Sequence, residues 1–204
     1  MARRKTISDE EVLDAAAKVM FATGPSFTLA DVAKATGIAP ATLVQRFGDK
    51  HGLVVAAIAR DNAAFEASLA AASAGVGAEA VIAIFAAMFD GPDTDADHFA
   101  DQLLWLRQDM RDPDLNRLAR ERFAALRAAV AARMPPMSIP AARAAELVEA
   151  QWQGGLLQWG IERRGRLSEF VTEQLRAWFA LSSPQGEGDH EVVEGVRRRR
   201  DLSS

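Results

Sequence analysis

The sequence predicts an all-α protein of about nine helices, with a three-helix unit at the N-terminus and a larger helical body behind it. Apolar residues recur at helical spacing through most of the 204 residues. Gly or Pro marks most of the breaks between these stretches, and the alternation typical of β-strands never extends beyond a few residues. We therefore divide the chain into an N-terminal arm with the three-helix unit (1–52), a helical body (53–182) and a tail (183–204). The tail is short of apolar residues and rich in Gly, Ser and charge, which predicts disorder.

The first helix is predicted from Ser8 to Thr23. Ser8 and Glu11 form a capping-box pattern, in which each side chain binds a free backbone N–H at the helix start. Gly24 and Pro25 follow the last apolar residue and fit a helix stop.

Two short helices joined by a tight turn are predicted within residues 28–53. Thr28 and Asp31 repeat the capping-box pattern, so a helix of about two turns begins here. Gly37 supplies the backbone freedom that a sharp turn needs. Pro40 suits the first position of the next helix, because its missing N–H has no partner to lose there.

The second of these helices has one apolar face and one face suited to DNA. Leu43 and Phe47 lie at i and i+4 and point toward the core. On the other face, Gln45 can pair with adenine and Arg46 with guanine, each bidentate pair discriminating by about 1–3 kcal/mol, and Ala41 or Thr42 can meet a thymine methyl.

Residues 7 to about 58 resemble the N-terminal domain of the TetR family of bacterial transcriptional regulators. Three positions depart from the family pattern. Ala39 stands where a capping Ser is common, Val44 where an aromatic residue is common, and Gly52 in a first turn that usually has better helix formers. The matching elements are Ile7, the Ala15-Ala16 region, Phe21, Gly24, Thr28, Asp31-Val32-Ala33, Gly37-Ile38, Thr42-Leu43, Phe47, Lys50 and Leu53.

The resemblance and the pattern together predict a double-stranded DNA partner. The basic residues Arg3, Arg4 and Lys5 form an N-terminal arm that can enter a minor groove or touch phosphate. A solvated N-terminus is an equal alternative on charge alone. The predicted DNA contacts are Arg3, Arg4, Lys5, Thr28, Pro40, Ala41, Thr42, Gln45, Arg46 and Lys50.

The net charge of the chain is −4, which at first argues against a nucleic-acid partner. The distribution reverses that argument, because residues 1–60 hold eight Lys/Arg against six Asp/Glu and the acidic excess lies in the rest of the chain. Four arginines at 197–200 form a second basic cluster, which we interpret as part of a solvated tail.

The composition also restricts the compartment and the chemistry. There are no cysteines, so disulfides and Cys-zinc sites are excluded. No apolar run reaches the ~20 residues of a membrane span, and the N-terminus lacks the pattern of a signal peptide, so we expect a cytoplasmic protein. The three histidines lack metal-ligand spacing and no catalytic motif is present. We predict no enzyme activity, cofactor or metal.

A longer helix is predicted from Asp49 through Leu69, and after Gly77 the sequence predicts five further amphipathic helices. They span about 78–89, 95–111, 112–134, 140–164 and 168–181. Asp112 is predicted to cap the third and Ser168 the last. On the second, Phe99, Leu103, Leu106 and Met110 form one apolar stripe.

The resemblance implies that the last two helices pair with those of a second copy. Two half-sites are also what a short helix-turn-helix needs. The alternative, that these helices fill the core of their own subunit, stays open for some residues. The predicted dimer contacts are Leu147, Gly154, Gly155, Trp159, Val171, Leu175 and Trp178.

Large apolar side chains in the body are candidates for an effector site, because Met and aromatic residues adapt to varied apolar ligands. Plain core is the alternative for each of them. The candidates are Phe85, Met88, Phe89, Trp105, Met110, Phe123 and Trp152.

We therefore expect a homodimeric transcriptional regulator, a repressor released from a palindromic operator by a small apolar or aromatic effector. Two other functions stay open. One is an activator or ligand-independent DNA binder, and the other is a helical small-molecule-binding protein whose DNA-binding domain has degenerated.

Overall fold

The computed structural model describes residues 7–71, 75–89 and 96–182, except for the side chains of Ala96 and His98. The predicted arm residues Arg3, Arg4 and Lys5 and the tail 183–204, with its arginines at 197–200, lie outside the described residues. Within the described ranges the predicted all-α class is confirmed, with nine α-helices and no strand. The helices are α1 Asp9–Thr23, α2 Leu29–Thr36, α3 Pro40–Phe47, α4 Lys50–Ala71, α5 Ala78–Ala87, α6 Ala96–Arg111, α7 Pro113–Ala131, α8 Ala141–Glu162 and α9 Leu167–Ser182.

Both predicted capping boxes are formed. Ser8 Oγ accepts a hydrogen bond from the Glu11 N–H at 3.1 Å, and Glu11 Oε2 accepts one from the Ser8 N–H at 2.8 Å. Thr28 and Asp31 make the same exchange at the start of α2. These local bonds fix where the first two helices begin, because each satisfies an N–H that lacks a partner inside its helix.

Helix starts in the body follow the prediction in one case and depart from it in another. Asp112 caps α7, accepting from the N–H groups of Asp114 and Leu115 at 3.0 and 3.1 Å. The predicted cap at Ser168 is wrong, since α9 already begins at Leu167. Ser168 lies inside the first turn, where its backbone oxygen accepts from the Thr172 hydroxyl at 2.8 Å.

The buried side chains form two groups. The first, here called the N-terminal cluster, is built mainly from α1 to α4 and includes the fully buried Val12, Val32, Leu43 and Leu53. Leu115 of α7 belongs to this cluster although it lies far along the chain. The body is therefore anchored in the core of the N-terminal unit.

The second group, here called the body cluster, joins α4 to α9. Its centre is formed by Phe85, Leu126, Val148 and Leu175, all at most 1% exposed. Phe85 stacks against Trp152 with ring centroids 5.3 Å apart. The helix α4 takes part in both clusters and runs without a break across the predicted boundary at residue 52.

The predicted apolar stripe of α6 is wrong at its C-terminal end. Phe99 is buried, but Leu106 is 37% and Met110 is 70% exposed. Trp105 packs against the N-terminal cluster instead, and Asp109 lies in the next turn among the residues that line a cavity. The helix is thus rotated relative to the predicted stripe, because its packing surface follows the two clusters and not the most apolar line of its sequence. None of the described helices has the length and apolar character needed to cross a membrane.

Candidate nucleic-acid interface and ligand cavity

The turn between α2 and α3 has the geometry that the sequence predicts. Gly37 adopts the left-handed conformation, with φ 72° and ψ 15°, and its N–H donates to the Ala33 oxygen at 2.9 Å. Glycine adopts this conformation readily because it has no Cβ. Pro40 begins α3, while Ala39 at the N-cap offers no side-chain hydrogen bond. The start of α3 is therefore held by the turn and by packing, without a side-chain cap.

One face of α3 is buried and the other is free. Leu43 is fully buried and anchors the helix in the N-terminal cluster. Of the predicted DNA contacts on this helix, Pro40, Ala41 and Gln45 are exposed and Thr42 is half-buried. Val44, 47% exposed, lies beside them. The exposed side chains are small enough to approach base edges in a groove, and Gln45 is the group among them that can pair with a base.

Arg46 does not join that free surface. Its side chain is 24% exposed, and one guanidinium nitrogen donates to the Ile7 oxygen at 2.9 Å and to Asp9 Oδ1 at 3.2 Å. These bonds tie the end of α3 to the start of α1. In this structure Arg46 positions the helix through Nη1, and the base-reading role predicted for it stays a prediction that these bonds compete with.

Lys50 is likewise held inside the unit. Its Nζ donates to the Pro25 oxygen at 2.7 Å and lies 4.5 Å from the ring centre of Phe27. The ammonium thus closes the 3₁₀ turn Gly24–Ser26 onto the start of α4. The predicted phosphate contact competes with two internal contacts.

Thr28 is exposed, but its hydroxyl is engaged. The hydroxyl donates to Asp31 Oδ2 at 2.7 Å in addition to the capping-box bonds. Hydrogen bonds from Thr28 hold the pKa of Asp31 below its ordinary value. A phosphate bound by Thr28 would therefore lie at the N-terminus of α2, where the capping box already orders the backbone.

Gly52, a departure from the family pattern, has a structural explanation. A Cβ at this position would lie 2.0 Å from the Phe47 oxygen, which is too short for any real contact. The connection from α3 into α4 is so tight that only glycine fits. Its weak helix propensity is offset by this close approach.

A cavity of about 850 Å³ lies between the N-terminal unit and the body. Four of the predicted ligand residues line it, namely Met88, Trp105, Phe123 and Trp152. The other three lie outside it. Phe85 fills the body cluster, Phe89 packs against that cluster, and Met110 is 70% exposed.

Several residues that line this cavity were not predicted from the sequence. Met20 and Phe21 of α1 and Ile58 and Phe65 of α4 also line it. Nothing local in the sequence indicates this, because these residues lie in helices assigned to the DNA-binding unit and its link. The cavity is therefore shared between the two parts of the chain.

One wall of the cavity is polar and internally satisfied. Arg122 Nη1 donates to Asp61 Oδ2 at 2.6 Å and to Asn62 Oδ1 at 3.2 Å. The buried Asn62 in turn donates to the Leu118 oxygen at 2.9 Å. The Arg122 guanidinium lies 4.2 Å from the centre of the Phe65 ring. This network leaves little unpaired charge on the α4 and α7 side.

The contacts between the two parts of the chain surround the cavity. Phe27 and Trp105 have ring centroids 6.4 Å apart, and Gln102 Nε2 donates to the Phe21 oxygen at 2.8 Å. Because Trp105 and Gln102 also line the cavity, the same side chains touch both the cavity and the N-terminal unit.

A further junction contact joins His51 to the start of α7. His51 Nε2 lies 3.0 Å from Asp112 Oδ2 and 4.0 Å from Asp114 Oδ2. The hydrogen bond to Asp112 raises the pKa of His51 above its ordinary value. Among the described residues these three are the group whose ligand atoms lie close enough to hold a metal ion, within 4.8 Å of one another. In this structure the His51 imidazole and the Asp112 carboxylate form a hydrogen bond with each other. The sequence spacing did not predict this pair, because the two residues lie far apart along the chain.

The predicted dimer contacts separate into buried and exposed positions. Val171 and Leu175 are fully buried and Trp159 is 4% exposed, so they belong to the core of their own subunit. Gly155 is also buried and faces Val171, 3.8 Å from the position of a Cβ. Trp178 is half-buried.

Leu147 and Gly154 lie on the outer face of α8. A Cβ on Gly154 would meet nothing within 4 Å. The same face carries Leu157 at 46% and Ile161 at 85% exposure, and Leu181 of α9 is 88% exposed. Leu157, Ile161 and Leu181 were not among the predicted contacts. The residues on this face of α8 are nevertheless regularly spaced, because Gly154, Leu157 and Ile161 follow one another at intervals of three and four residues.

The N-terminal sequence and the overall fold both resemble those of known proteins. Residues 12–57 match the sequence profile of bacterial regulatory proteins, tetR family. A transcriptional regulator from Rhodococcus superposes with a TM-score of 0.67 at 18% identity, covering 84% of this chain and 95% of that one. A protein assigned to the TetR-family transcriptional regulators of Mesorhizobium loti gives 0.62 at 17% identity, with 85% and 95% covered. No curated protein sequence matches this chain.

The fold is also shared with a structure described as the multidrug binding protein EbrR complexed with imidazole. Its TM-score is 0.60 at 21% identity, with 87% of this chain and 96% of that chain covered. At these identities the structural likeness establishes the fold, while the sequence profile covers the three-helix unit and the start of α4. Residues 12–57 therefore match the N-terminal domain of the tetR family of bacterial regulatory proteins, and the chain shares its overall fold with solved transcriptional regulators.

Proposed function

We propose that this chain is a homodimeric repressor that binds a palindromic operator and is released by a small-molecule effector. The observation that carries the proposal is the free face of α3, formed by Pro40, Ala41, Val44 and Gln45, in a helix-turn-helix anchored on its other side by the fully buried Leu43. A surface of this shape on a recognition helix fits the major groove. Its few polar groups suit a half-site, and a second copy supplies the other half.

The exposed apolar face of α8 supports the dimer. Leu147, Gly154, Leu157 and Ile161 recur at helical spacing and lie outside the body cluster. Exposed Leu and Ile at one helix face favour a protein partner. Gly154 lets a second helix approach closely, which offsets the ~1 kcal/mol that Gly costs in a helix relative to Ala.

The test of this interface is a pair of matched variants. Ile161→Arg places a charge on the proposed contact and is expected to give monomers in sedimentation equilibrium. Met110→Arg, at another exposed apolar position, is the control and should remain dimeric. Leu175→Arg is unsuitable, because Leu175 is fully buried and a charge there unfolds the subunit. An Ile161→Arg protein with the mass of a dimer would remove this face from the interface.

The effector role is supported by the position of the cavity. Its volume of about 850 Å³ lies within the range of small-molecule sites. Walls from α1 and α4 mean that an occupant touches the N-terminal unit as well as the body. If binding favours one arrangement of these helices, the coupling free energy of about 1–3 kcal/mol typical of allosteric proteins weakens DNA binding about 5–150-fold.

A second candidate function is a ligand-binding protein with weakened DNA binding. The observation in its favour is that Arg46 and Lys50 are engaged within the N-terminal unit and that α3 lacks a side-chain cap. The internal contacts of Arg46 and Lys50 reduce the positive charge available to phosphate, and the missing cap makes α3 less stable.

A gel-shift experiment with DNA from upstream of the gene separates the two candidates. The repressor is expected to bind one fragment specifically, with an affinity that falls steeply as salt rises from 50 to 200 mM, a range that conventionally reveals phosphate contacts. Gln45→Ala is expected to reduce the preference for that fragment over unrelated DNA. Equal binding to all fragments by the unaltered protein would favour the second candidate.

A further inference from the structure

The carboxyl group of Asp109 is half-buried and has an unusual environment. It lines the cavity from α6, and none of the described residues donates a hydrogen bond to it or pairs with it within 4.0 Å. Glu149, the other carboxylate withdrawn from solvent in the body, accepts from Arg127 at 2.9 Å and from Gln153 at 3.0 Å. Carboxylates away from water are normally paired in this second way.

Charged groups that face the cavity do not supply the missing partner. Arg122 of α7 is engaged by Asp61 and Asn62 of α4, and Lys18 of α1 is exposed at the edge of the cavity. The residues contributed by α5 and α8, Met88 and Trp152, carry no charge. Arg122 attracts Asp109 at a distance, but its hydrogen bonds go to Asp61 and Asn62, so Asp109 is a carboxylate in the cavity wall without a cation in contact.

A second unpartnered group lies among the lining residues. Trp152 is 7% exposed, and its Nε1 is buried without a hydrogen-bond partner among the described residues. The aromatic walls include Phe65, Trp105 and Phe123. An occupant that fits this environment is largely apolar and aromatic, with a positively charged donor for the carboxylate. Its aromatic face can accept the N–H of Trp152.

We propose that the cavity binds lipophilic organic cations, aromatic amines in their protonated form, and that Asp109 is the anchor for the ammonium group. The inference rests on the proposed function in so far as this cavity is the effector site. It adds the chemical class of the effector and the residue that selects it. Burial raises the pKa of Asp109 to about 6 against the attraction of Arg122, so the group is ionised at pH 7.5, and a bound cation stabilises that form.

Three pyrene compounds that differ in one group provide the probes. Pyrenemethylamine carries an ammonium group, pyrenemethanol a hydroxyl and pyreneacetate a carboxylate. Their binding to the full chain is measured by pyrene fluorescence anisotropy without DNA. The expected order is amine, then alcohol, then carboxylate, with the amine about tenfold to a hundredfold tighter than the alcohol at pH 7.5, as expected for hydrogen bonds to a charged group.

Asp109→Asn keeps the size of the side chain and removes its charge. This variant is expected to bind the amine and the alcohol within about threefold of each other. Asp101→Asn, on the same helix but exposed and outside the cavity, is the matched control and should keep the full preference for the amine. Circular dichroism of both variants confirms that the helices are intact.

The pH provides a second readout. Between pH 7.5 and pH 5 the amine affinity of the unaltered chain should fall about tenfold, because Asp109 takes up a proton in this interval. The alcohol affinity should change little, and Asp109→Asn should remove the dependence for the amine.

Preference for the carboxylate, no binding of the amine, or unchanged amine selectivity in Asp109→Asn would overturn the proposal. Failure of the effector role gives a different pattern. In that case the amine binds with the expected selectivity and leaves the gel shift unchanged, so the cation site stands while release from DNA by this cavity does not.

Discussion

The N-terminal cluster and the body cluster differ in how completely their helices fill the space between them. Around Leu43 and Leu53 the packing is so close that Gly52 has no room for a Cβ. Beside Trp105 and Phe123 the helices leave a cavity of about 850 Å³. A closely packed unit moves as one body, because packed interiors transmit displacements and do not absorb them. An open body can change shape with an occupant, so the contrast fits a rigid DNA-reading unit carried by a body that adapts.

The largest effect is expected where the packing is closest. Gly52→Ala should destabilise the chain by about 3 kcal/mol or more, because overpacking against backbone cannot be relieved by a side-chain movement. Urea unfolding followed by circular dichroism measures it. Gly155→Ala is the control, since its Cβ meets Val171 at an ordinary 3.8 Å and should not destabilise α8. Similar stability of the two variants would contradict the contrast in packing.

A second test enlarges one alanine side chain to leucine in each region and compares the loss of stability. Ala16 is fully buried in the N-terminal cluster, and Ala119 lines the cavity. Ala16→Leu is expected to cost about 1–3 kcal/mol, whereas Ala119→Leu should change stability by less than about 1 kcal/mol because there is space for it. Both values come from chemical denaturation. An equal loss for the two would mean that the cavity closes in solution.

The two neighbouring residues at the end of α3 separate reading from positioning. Gln45→Ala should lower discrimination between DNA sequences by about 1–3 kcal/mol at one base position. Arg46→Ala should leave discrimination intact and reduce thermal stability, because its bonds to Ile7 and Asp9 are internal. Anisotropy with a set of single-base variants of the bound DNA gives the first quantity, and a melting curve gives the second. Lost discrimination in Arg46→Ala would return the base-reading role to that residue.

The smallest effect is expected at His51. Its pKa is raised by the hydrogen bond to Asp112, so this contact stabilises the folded chain fully below the ordinary pKa of His, near 6.5, and its contribution is lost as pH rises through the higher folded value. The side chain is 46% exposed, so solvent screening limits the contribution to a few tenths of a kcal/mol, the range of exposed pairs. The pH dependence of the melting temperature between pH 5.5 and 8.5 should be less steep in His51→Gln. Identical slopes would show that the junction does not depend on this contact.

Local signals in the sequence predicted most of the N-terminal unit. The capping boxes at Ser8 and Thr28 and the turn at Gly37 depend on residues three or four positions apart, so their geometry is encoded within one turn of helix. Helix positions in the body were predicted on the same basis. The end of α6 was not, because the more apolar stripe did not decide which face of that helix is packed.

Partners from distant parts of the chain could not be predicted in this way. Arg46 binds the start of α1, Lys50 binds the Pro25 oxygen, and His51 binds Asp112. A cation on a recognition helix and a cation that holds that helix in place have the same sequence pattern. For the same reason Leu175 was predicted at a dimer interface although it is fully buried in its own subunit.

Selection of bound DNA from a random-sequence library shows whether the protein reads DNA as a dimer, and it assumes nothing about the operator. For a dimer that reads DNA with the free face of α3, the enriched sequences are expected to be inverted repeats, with half-site centres about one helical turn apart, roughly 10 base pairs. Gln45→Ala should shift the preference at the same position in both halves. No enriched sequence, or an enriched single half-site without a repeat, would contradict the account of a dimeric, sequence-specific regulator.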